Sequence, residues 1–564
     1  MNTSVVAPRL REIAAYLVLE GDRYRARAYQ KAAGSVEAIK NLEQLIAERR
    51  LTSLPGIGES LAGAIEELAR RGTTDLLERL RAHWPALVVD IADLGGLRPA
   101  RALALHAALS PADLDDLAEM CRTGRVRQLA GFGAAIEARL LDGIERRQER
   151  GEVVALADAR QLTAALAAHL ASGAAAQASP AGAARRWVEL SERLVLAAAS
   201  REPDALADHL GSHPLVASVE RAPATDSMIR FAARLTGGVQ CDLVVAPPER
   251  YGTALALATG AEAHVELLRR RAAAAGLTLD AIAAADEEAL YRALGLPWLP
   301  PEVRDGTDEL AAADAGEDFA SLVALADVIG SVHCHTTYSD GKHTVEQMAR
   351  AARALGHSYI TITDHSPSAQ YAGGVTVDRL GMQWAEIAEV EKRVDIRILR
   401  GTESDIRADG SLDYPDDVLA SMDVVIASIH QRFKLDEEAM TRRLVAAMRQ
   451  PLFKIWGHAL GRLIQRRDPI KCRFDEVLDA IAEGPAAIEI NGDPRRLDLE
   501  PERARQALAR GARFVLSSDA HSTEALANVE FAVAQARRAR LRRGDVLNTL
   551  PADEFCRAVR PLPE

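Results

Sequence analysis

The chain has 564 residues and a mass of 60.7 kDa, and 69 Lys and Arg against 81 Asp and Glu leave a formal charge of -12. At about 150 residues per domain this length predicts several domains, and 48% hydrophobic with 27% charged residues excludes a disordered or fibrous chain. The acidic balance excludes DNA binding through bulk charge, so any nucleic-acid contact must come from local sites.

The first residues, MNTSVVAPRLREIAAYLVLEGD, lack the charged and then apolar pattern of a signal peptide. No stretch approaches the roughly 18 uninterrupted apolar residues of a membrane span. The five cysteines are scattered and never form a CxxC pair, which argues against a disulfide framework or a thiolate zinc finger. We therefore expect a cytoplasmic protein with no membrane contact.

Residues 1–150 show helical periodicity interrupted by short turns. Two glycine-containing turns, LPGIGESL and LAGFGAAI, stand between helical stretches, and DLGGLRP gives a weaker third copy. Such glycines leave backbone N–H groups pointing outward at a helix start, where a phosphate is favoured. An ordinary tight hairpin explains one such turn, but the repetition favours binding to the DNA backbone. The candidate DNA-binding residues are Gly56, Gly58, Gly131 and Gly133.

Residues 151–310 contain helical segments around one short apolar run, Val239 to Val245, and end in the proline-marked LGLPWLPPEVRDG. A small-residue linker, AAADAGEDFA, follows. From residue 325 to 545, apolar runs of four to seven residues alternate with helix-like segments, which is typical of βα units around a parallel sheet. The predicted domains are therefore 1–150, 151–310 and 325–545.

Six of the seven apolar runs in the last domain end in residue types that bind metal ions. In a βα barrel the carboxyl ends of the strands surround one pocket, so these side chains are expected to converge. Residues i and i+2 of a strand project to the same side, which predicts that His333 and His335 act together, as do Asp519 and His521. The candidate ligands are His333, His335, Asp340, His365, Glu403, His430, His458, Asp519 and His521.

A lone histidine at a strand end is more often structural than a ligand, but six of the chain's 14 histidines fit this one pattern. Nine ligands are too many for one ion, so two or three divalent ions are expected. Mixed imidazole and carboxylate ligands favour zinc, manganese or iron over magnesium and calcium. His343 and His357 lie off the pattern, and we expect them at the surface.

The segments HCHTTYSDG, TDHS, GTESDI, ASIH, WGHALGR and SSDAH resemble, in order and spacing, the motifs of the PHP (polymerase and histidinol phosphatase) domain. The resemblance covers residues 328–545 and implies a distorted (β/α)7 barrel with a trinuclear metal centre, in which all nine ligand positions are filled. Ser331 departs from the family, where Asp is common. Such a centre hydrolyses phosphoesters by polarising phosphoryl oxygens and activating water.

Two arginines are candidate catalytic residues of this site. Arg432, beside His430, and Arg462, in GHALGR, are able to hold a substrate phosphate through bidentate hydrogen bonds. A solvated arginine at the barrel rim is an equally good interpretation of each.

The glycine turns resemble helix-hairpin-helix motifs, which bind DNA backbone without base specificity, and GDRYRARAYQKAA resembles the opening of bacterial family X DNA polymerases. The resemblance to that family extends over the whole chain. It implies a multidomain α and α/β fold with a helical helix-hairpin-helix region, a polymerase X-like α+β palm and thumb, and the PHP barrel. It also implies a monomer bound to gapped or 3′-recessed duplex DNA and associated with the nucleoid when bound.

The palm of that family needs three carboxylates to hold two divalent ions. Aligned on Gly182, the two positions of its Asp-x-Asp motif are Arg193 and Val195 here, and the third carboxylate is Asp242. One carboxylate does not hold two ions, so polymerisation is predicted to be lost. The Schiff-base lysine of lyase-active relatives is Ala64, so that reaction is predicted to be absent as well.

The leading hypothesis is a PHP phosphoesterase acting on DNA in repair, as a 3′-5′ exonuclease or a 3′-end-processing hydrolase. Three alternatives stay open. They are an active gap-filling polymerase, a small-molecule phosphatase of the histidinol-phosphate type, and a noncatalytic DNA-binding scaffold.

Overall fold

The computed structural model describes residues 6–37, 42–54, 57–94, 97–150, 153–173, 175–223, 228–236 and 238–561. The chain forms two compact units. One comprises Met1–Ala184, Leu190–Ala258 and Ala283–Asp286, and the other comprises Arg185–Glu189, Thr259–Ile282 and Glu287–Glu564. The predicted domain bounds of 1–150, 151–310 and 325–545 stay predictions. Within the described ranges no helix is both long and apolar enough to cross a membrane.

The described part of residues 1–150 is helical, as the periodicity predicts. In the first helix Leu10, Ile13, Ala14 and Leu17 recur on one stripe and are all buried, and this stripe packs into one core with later helices. The helices are α1 (Val6–Leu19), α2 (Arg23–Glu37), α3 (Leu42–Ala47), α4 (Glu59–Arg71), α5 (Asp75–His83), α6 (Ala86–Leu94), α7 (Pro99–Leu109), α8 (Leu114–Arg122) and α9 (Ala134–Arg150).

The next segment contains more strands than the sequence pattern predicts. A five-stranded mixed sheet has the order β2-β4-β7-β6-β5, in which β4 and β7 are parallel. The predicted apolar run Val239 to Val245 corresponds to β7, whereas the alanine-rich β4 was not predicted from the sequence. The strands are β1 (Val154–Ala155), β2 (Gln177–Pro180), β3 (Leu190–Ser191), β4 (Leu194–Ala199), β5 (Val216–Arg221), β6 (Ile229–Leu235) and β7 (Gln240–Ala246). The helices are α10 (Leu156–Ala171), α11 (Gly182–Arg185), α12 (Pro203–Gly211) and α13 (Tyr251–Thr259).

The C-terminal sheet has seven parallel strands that neighbour one another in chain order. Almost every strand residue is buried, because helices cover a parallel sheet. The strands are β8 (Gly330–Ser331), β9 (Tyr359–Ile362), β10 (Arg397–Asp405), β11 (Val424–Ser428), β12 (Lys454–Trp456), β13 (Ala486–Asn491) and β14 (Phe514–Ser517). The helices are α17 (Val345–Ala354), α18 (Val377–Glu391), α19 (Asp416–Ala420), α20 (Glu437–Met448), α21 (Phe474–Glu483), α22 (Pro501–Leu508), α23 (Val529–Arg538) and α24 (Ala552–Val559).

The two edge strands of this sheet approach each other. Beyond β8 and β14, a parallel bridge pairs Cys334 with Ala520, and the Ala520 N–H donates to the His333 carbonyl at 3.0 Å. The sheet is therefore a nearly closed barrel, which confirms the predicted (β/α)7 fold. Its interior is formed by the strands themselves, so side chains at their carboxyl ends face a common opening.

Residues before the barrel form α14 (Glu262–Ala274), α15 (Glu287–Ala293) and α16 (Glu309–Asp314). Glu287 lies at the centre of a buried charge cluster there. Its Oε1 accepts from Arg185 Nη1 at 2.7 Å and from Arg304 Nη1 at 2.5 Å, and Arg304 is completely buried. Burial raises the pKa of the Glu287 carboxyl, but Arg185 and Arg304 outweigh it and lower the value to about 2.

We expect Glu287→Gln to destabilise the protein by about 3–5 kcal/mol, because it leaves the buried Arg304 charge without its counterion. The measurement is the urea unfolding midpoint at pH 7. Glu288→Gln is the matched control, because Glu288 is exposed on the same helix. Equal midpoints for the two variants would contradict the importance of this cluster.

Candidate metal centre

The nine candidate ligands lie at or just beyond the carboxyl ends of six barrel strands. Glu403 is on β10, and the others are on the loops that follow β8, β9, β11, β12 and β14. They form four overlapping groups in which the ligand atoms lie within 4.8 Å of one another. The groups are His335, Asp340, His365 and His521; His333, Glu403 and His458; His333, His335 and Asp519; and His365, Glu403 and His430.

Glu403 is the centre of this arrangement, because both of its oxygens face imidazoles. Oε1 lies 2.8 Å from His458 Nε2 and 3.1 Å from His430 Nε2. Oε2 lies 2.9 Å from His365 Nδ1, 3.3 Å from His333 Nε2 and 3.6 Å from His335 Nε2. The carboxylate is 1% exposed, so no bulk water competes for these contacts.

Several buried ligand atoms have no hydrogen-bond partner among the described residues. They are His333 Nε2, His335 Nδ1 and Nε2, His365 Nδ1, His458 Nδ1 and Glu403 Oε2. Leaving buried polar atoms unpaired costs about 1–3 kcal/mol each, and these atoms point at one another across distances that suit an intervening cation. The residues present therefore fit divalent metal ions, and imidazole with carboxylate is a donor set for zinc, manganese or iron.

Two further carboxylates orient the histidines. Glu489 Oε1 accepts from His333 Nδ1 at 2.5 Å, and Asp405 Oδ1 accepts from His430 Nδ1. A proton held at Nδ1 leaves Nε2 of each ring as the atom that faces the centre, which is how ligating histidines are commonly fixed. Neither Glu489 on β13 nor Asp405 on β10 was among the residues predicted from the sequence. The signal for Asp405 was its i+2 position from Glu403 on one strand.

The backbone of three candidate ligands is left-handed. The φ angles are +63° at His333, +26° at His458 and +49° at Asp519. Non-glycine residues in this region cost free energy and cluster at functional sites. The strand alternation used to predict that His333 and His335 act together does not hold, because β8 ends at Ser331. The two rings still lie 5.2 Å apart, because the chain turns at His333 and pairs again at Cys334.

The electrostatics of the cluster follow from burial and close charges. Burial raises the pKa of Glu403, but the imidazoles of His430, His365 and His333 outweigh it and hold the value well below the usual range. Burial lowers the pKa of His430, but Glu403 and Asp405 outweigh it and raise the value to about 9. Burial likewise opposes the charge of His521, while Asp340 and Asp519 raise its pKa to about 9.

The structure corrects the prediction for Arg462. Arg462 is 7% exposed, and its Nη2 donates to the Glu189 carboxylate. Nη1 lies 3.0 Å from Glu500 Oε1, and Nε donates to the Arg496 carbonyl at 2.7 Å. All three nitrogens are thus engaged, which leaves no bidentate edge for a phosphate. Arg432 is exposed two residues beyond His430, and its phosphate-binding role stays a prediction.

A different arginine faces the centre and was missed from the sequence. Arg496 Nε lies 3.5 Å from Asp519 Oδ2. Within the described part of the chain, its Nε and Nη1 atoms are buried without hydrogen-bond partners. In the sequence the two adjacent arginines of DPRR cannot be told apart. In the structure Arg495 pairs with Asp493, whereas Arg496 faces the centre.

The prediction that His357 lies at the surface is also wrong, because the residue is buried. The His357 residue is 9% exposed, and its Nδ1 lies 2.6 Å from Ser331 Oγ. Ser331, the residue that departs from the PHP pattern, is thus the hydrogen-bond partner of His357. His343, expected at the surface as well, is half-buried, and its Nδ1 accepts from the Thr523 N–H at 3.2 Å.

The two glycine hairpins repeat one local structure. A short 3-10 helix, Leu51–Ser53 or Val126–Gln128, precedes α4 or α9 along the chain. Gly58 and Gly133 directly precede those helices, are exposed, and have open space where a Cβ would stand. Gly131 has a φ of +85°, and its carbonyl accepts from Arg101 Nη2 at 2.6 Å. Gly56, the fourth candidate, and Gly95-Gly96 lie outside the described residues.

The predicted palm positions lie together on the mixed sheet. Val195 on β4 is in register with Asp242 on β7. Arg193 Nη1 donates to Asp242 Oδ1 at 2.7 Å. A Cβ at Gly182, where φ is +62°, would come within 2.8 Å of Val195 Cγ2. The remaining carboxylate is therefore neutralised by an arginine and bordered by an apolar side chain.

Comparison with known proteins matches four family models. A PHP domain covers residues 331–493, a helix-hairpin-helix domain 1–74, a SAM-like helix-hairpin-helix tandem 88–146, and a DNA polymerase beta thumb 254–305. The chain is 31% identical to "DNA polymerase/3′-5′ exonuclease PolX" of Bacillus subtilis over 562 residues, which is 97% of each chain. The chain belongs to the PolX family. It is thus an enzyme of the PolX type with a C-terminal PHP domain, and this confirms the resemblance to family X polymerases.

Other relatives match about a third of this PolX chain. A "Probable phosphatase" of Caldanaerobacter subterraneus is 32% identical over 201 residues, which is 34% of this chain and 74% of that protein. One of Shewanella oneidensis is 26% identical over 200 residues, covering 34% and 75%. PHP domains are metal-dependent, the buried His, Glu and Asp groups described above are of a kind that could hold metal ions, and helix-hairpin-helix domains imply DNA binding.

We expect Mn²⁺ binding at pH 7 to release protons, because His430 and His521 have pKa values of about 9 and must be neutral to act as ligands. The apparent affinity should rise with pH and level off above about 9. Titration calorimetry in two buffers of different ionisation enthalpy measures the number of protons. His83→Gln, an exposed histidine, is the control that keeps this number, and equal heats in both buffers would contradict the prediction.

Proposed function

We propose that the PHP domain is a metal-dependent phosphoesterase that shortens DNA from 3′ ends, as a 3′-5′ exonuclease or 3′-end-processing hydrolase in DNA repair. The observation that carries the proposal is the convergence of nine ligand-type side chains, the buried Glu403 among them, in four overlapping groups. We assign these nine residues as the ligands of two or three divalent ions, with manganese, zinc and iron as the candidate metals.

The residues of the chain have separate tasks in this proposal. Bound divalent ions supply polarisation of the phosphoryl group and activation of water. Glu403, Asp519 and Asp340 provide the negative charge that holds them, and Glu489 and Asp405 keep the histidine rings in orientation. Arg496 offers unpaired N–H donors and a positive charge beside Asp519, which suits a non-bridging phosphate oxygen.

The helical hairpins support DNA as the substrate. The exposed N–H groups around Gly58, Gly131 and Gly133 suit phosphates of the backbone and carry no base specificity. The relative from Bacillus subtilis is named both polymerase and 3′-5′ exonuclease. We therefore propose a gapped or 3′-recessed duplex as the target, bound by a monomer in the cytoplasm and, with DNA, in the nucleoid.

The palm supports loss of polymerase activity. Two-metal nucleotidyl transfer needs several carboxylates around the ions. The chain supplies Asp242 alone, and the Arg193 guanidinium 2.7 Å away puts a positive charge where a cation would have to lie. Ala64 likewise supplies no amine for a Schiff base.

A small-molecule phosphatase is the second candidate. It is favoured by the relatives named "Probable phosphatase", which match 34% of this chain. Phosphate release from histidinol phosphate and from a 3′-phosphorylated oligonucleotide separates the two candidates, because only the DNA hypothesis predicts preference for the oligonucleotide.

We expect wild-type protein with Mn²⁺ to shorten a labelled 3′-recessed duplex, and His333→Ala with His335→Ala to abolish shortening. The two histidines belong to three of the four ligand groups, so their loss removes metal binding. The measurement is gel-resolved product length over time. Arg496→Ala should slow the reaction with metal content intact, whereas Arg495→Ala, next to it and 75% exposed in its side chain, should not. Undiminished shortening by the double variant would refute the PHP site as its source.

In a parallel reaction with deoxynucleotides on a gapped duplex, we expect no extension by wild-type protein. Arg193→Asp with Val195→Asp restores the missing carboxylates beside Asp242 and should recover measurable extension. Arg193→Ala removes the positive charge without adding a carboxylate and should stay inactive. Extension by wild-type protein would show that the palm is intact in function.

A further inference from the structure

Tyr371 is a large aromatic side chain exposed at the mouth of the metal centre. It lies on the short 3-10 helix Gln370–Ala372 and is 67% exposed. Its ring centroid is 6.1 Å from that of His365 and 6.3 Å from that of His430. The tyrosine thus borders two candidate ligands while most of its surface faces solvent, so burial in the core does not account for it.

Cationic side chains share this rim. Arg467 lies over the Phe433 ring at 3.9 Å, and its Nε donates to the Gly461 carbonyl at 2.7 Å. Burial and the charge of Arg496 lower the pKa of Arg467, and Tyr371 acts on the same guanidinium in the opposite sense. An aromatic face and two arginines therefore border the centre together. This combination is used to hold single-stranded nucleic acid, with bases on the aromatic ring and phosphates near the cations.

The distance between the tyrosine and the histidines suits one nucleotide. A phosphate held at His365 and His430 has its own base one sugar away, a separation comparable with the 6.1 and 6.3 Å between the Tyr371 ring and these two rings. A base that lies flat on Tyr371 is no longer stacked on its neighbour or paired with the opposite strand. The extra cost of unpairing is lowest for a base that is already single-stranded or mismatched.

We propose that Tyr371 stacks on the base of the terminal nucleotide and so is a positioning residue for the hydrolysis of single-stranded or frayed 3′ ends at the PHP site. This inference rests on the proposed hydrolysis of DNA at the same site. In that reaction water adds to phosphorus, the bond between phosphorus and the 3′ oxygen of the penultimate nucleotide breaks, that oxygen leaves with a proton, and a nucleoside 5′-monophosphate is released.

The test uses a 5′-labelled single strand that ends in thymidine and the same strand ending in a tetrahydrofuran abasic residue, each with Mn²⁺. We expect Tyr371→Ala to slow removal of the terminal thymidine by about tenfold, in line with the stacking of one base on an aromatic side chain. Removal of the abasic residue should be unchanged. Tyr371→Phe keeps the ring and should behave as wild type, as should Met382→Ala, another exposed apolar residue of this domain.

A second comparison tests selection of the end. Wild-type protein should remove a mismatched terminal base from a duplex faster than a paired one, and Tyr371→Ala should reduce this difference. An equal loss on thymidine and abasic ends, or no loss on either, would overturn the role of Tyr371 in stacking. Failure of the wild-type protein to hydrolyse either strand would instead overturn the proposed function. Metal content and melting temperature, measured for every variant, separate stacking from damage to the centre.

Discussion

The Glu403 carboxylate is the feature on which the PHP site depends. It is buried at the carboxyl end of a central barrel strand, and its two oxygens lie 2.8 to 3.6 Å from nitrogens of five histidines. A buried anion among imidazoles, several of whose nitrogens lack hydrogen-bond partners among the described residues, is costly unless cations join them. The strand order fixes this geometry, because each neighbouring strand delivers its histidine to the same opening.

The groups around this carboxylate carry their own constraints. Glu489 and Asp405 hold two rings in the required tautomer, and left-handed backbone at His333, His458 and Asp519 turns these residues toward the centre. Such strain persists only where surrounding structure holds it. The barrel supplies that support through the bridge between Cys334 and Ala520 and through the fully buried strands. The Tyr371 ring and the Arg496 guanidinium add recognition of an anionic, aromatic substrate at the rim.

The palm presents a different case, in which the sheet is kept but two of the three predicted carboxylate positions are not. The register of its sheet sets residue 195 opposite Asp242. At the two positions where the family pattern has aspartates, Val195 supplies an apolar group and Arg193 a positive charge. The fold of the sheet and the charge of this site are thus separable, because two side chains set the local electrostatics while many buried contacts set the sheet.

The sequence by itself determined the seven-stranded barrel, the convergence of its strand-end residues, the hairpin helices and the family. The βα units, the strand-end ligands and the hairpins follow from local patterns, namely apolar runs, the residue types at their ends, and glycine turns between helical stretches. The seven-stranded barrel and the family follow from the resemblance of the motifs to known families. Only the tertiary structure decided that Arg496 rather than Arg462 faces the centre, since Arg462 is paired with Glu189, 273 residues away in the sequence. The buried His357, the orienting role of Glu489 and the aromatic rim at Tyr371 were likewise decided by packing. Pairings between distant segments leave no periodicity in the chain, because they depend on where the strands bring side chains together.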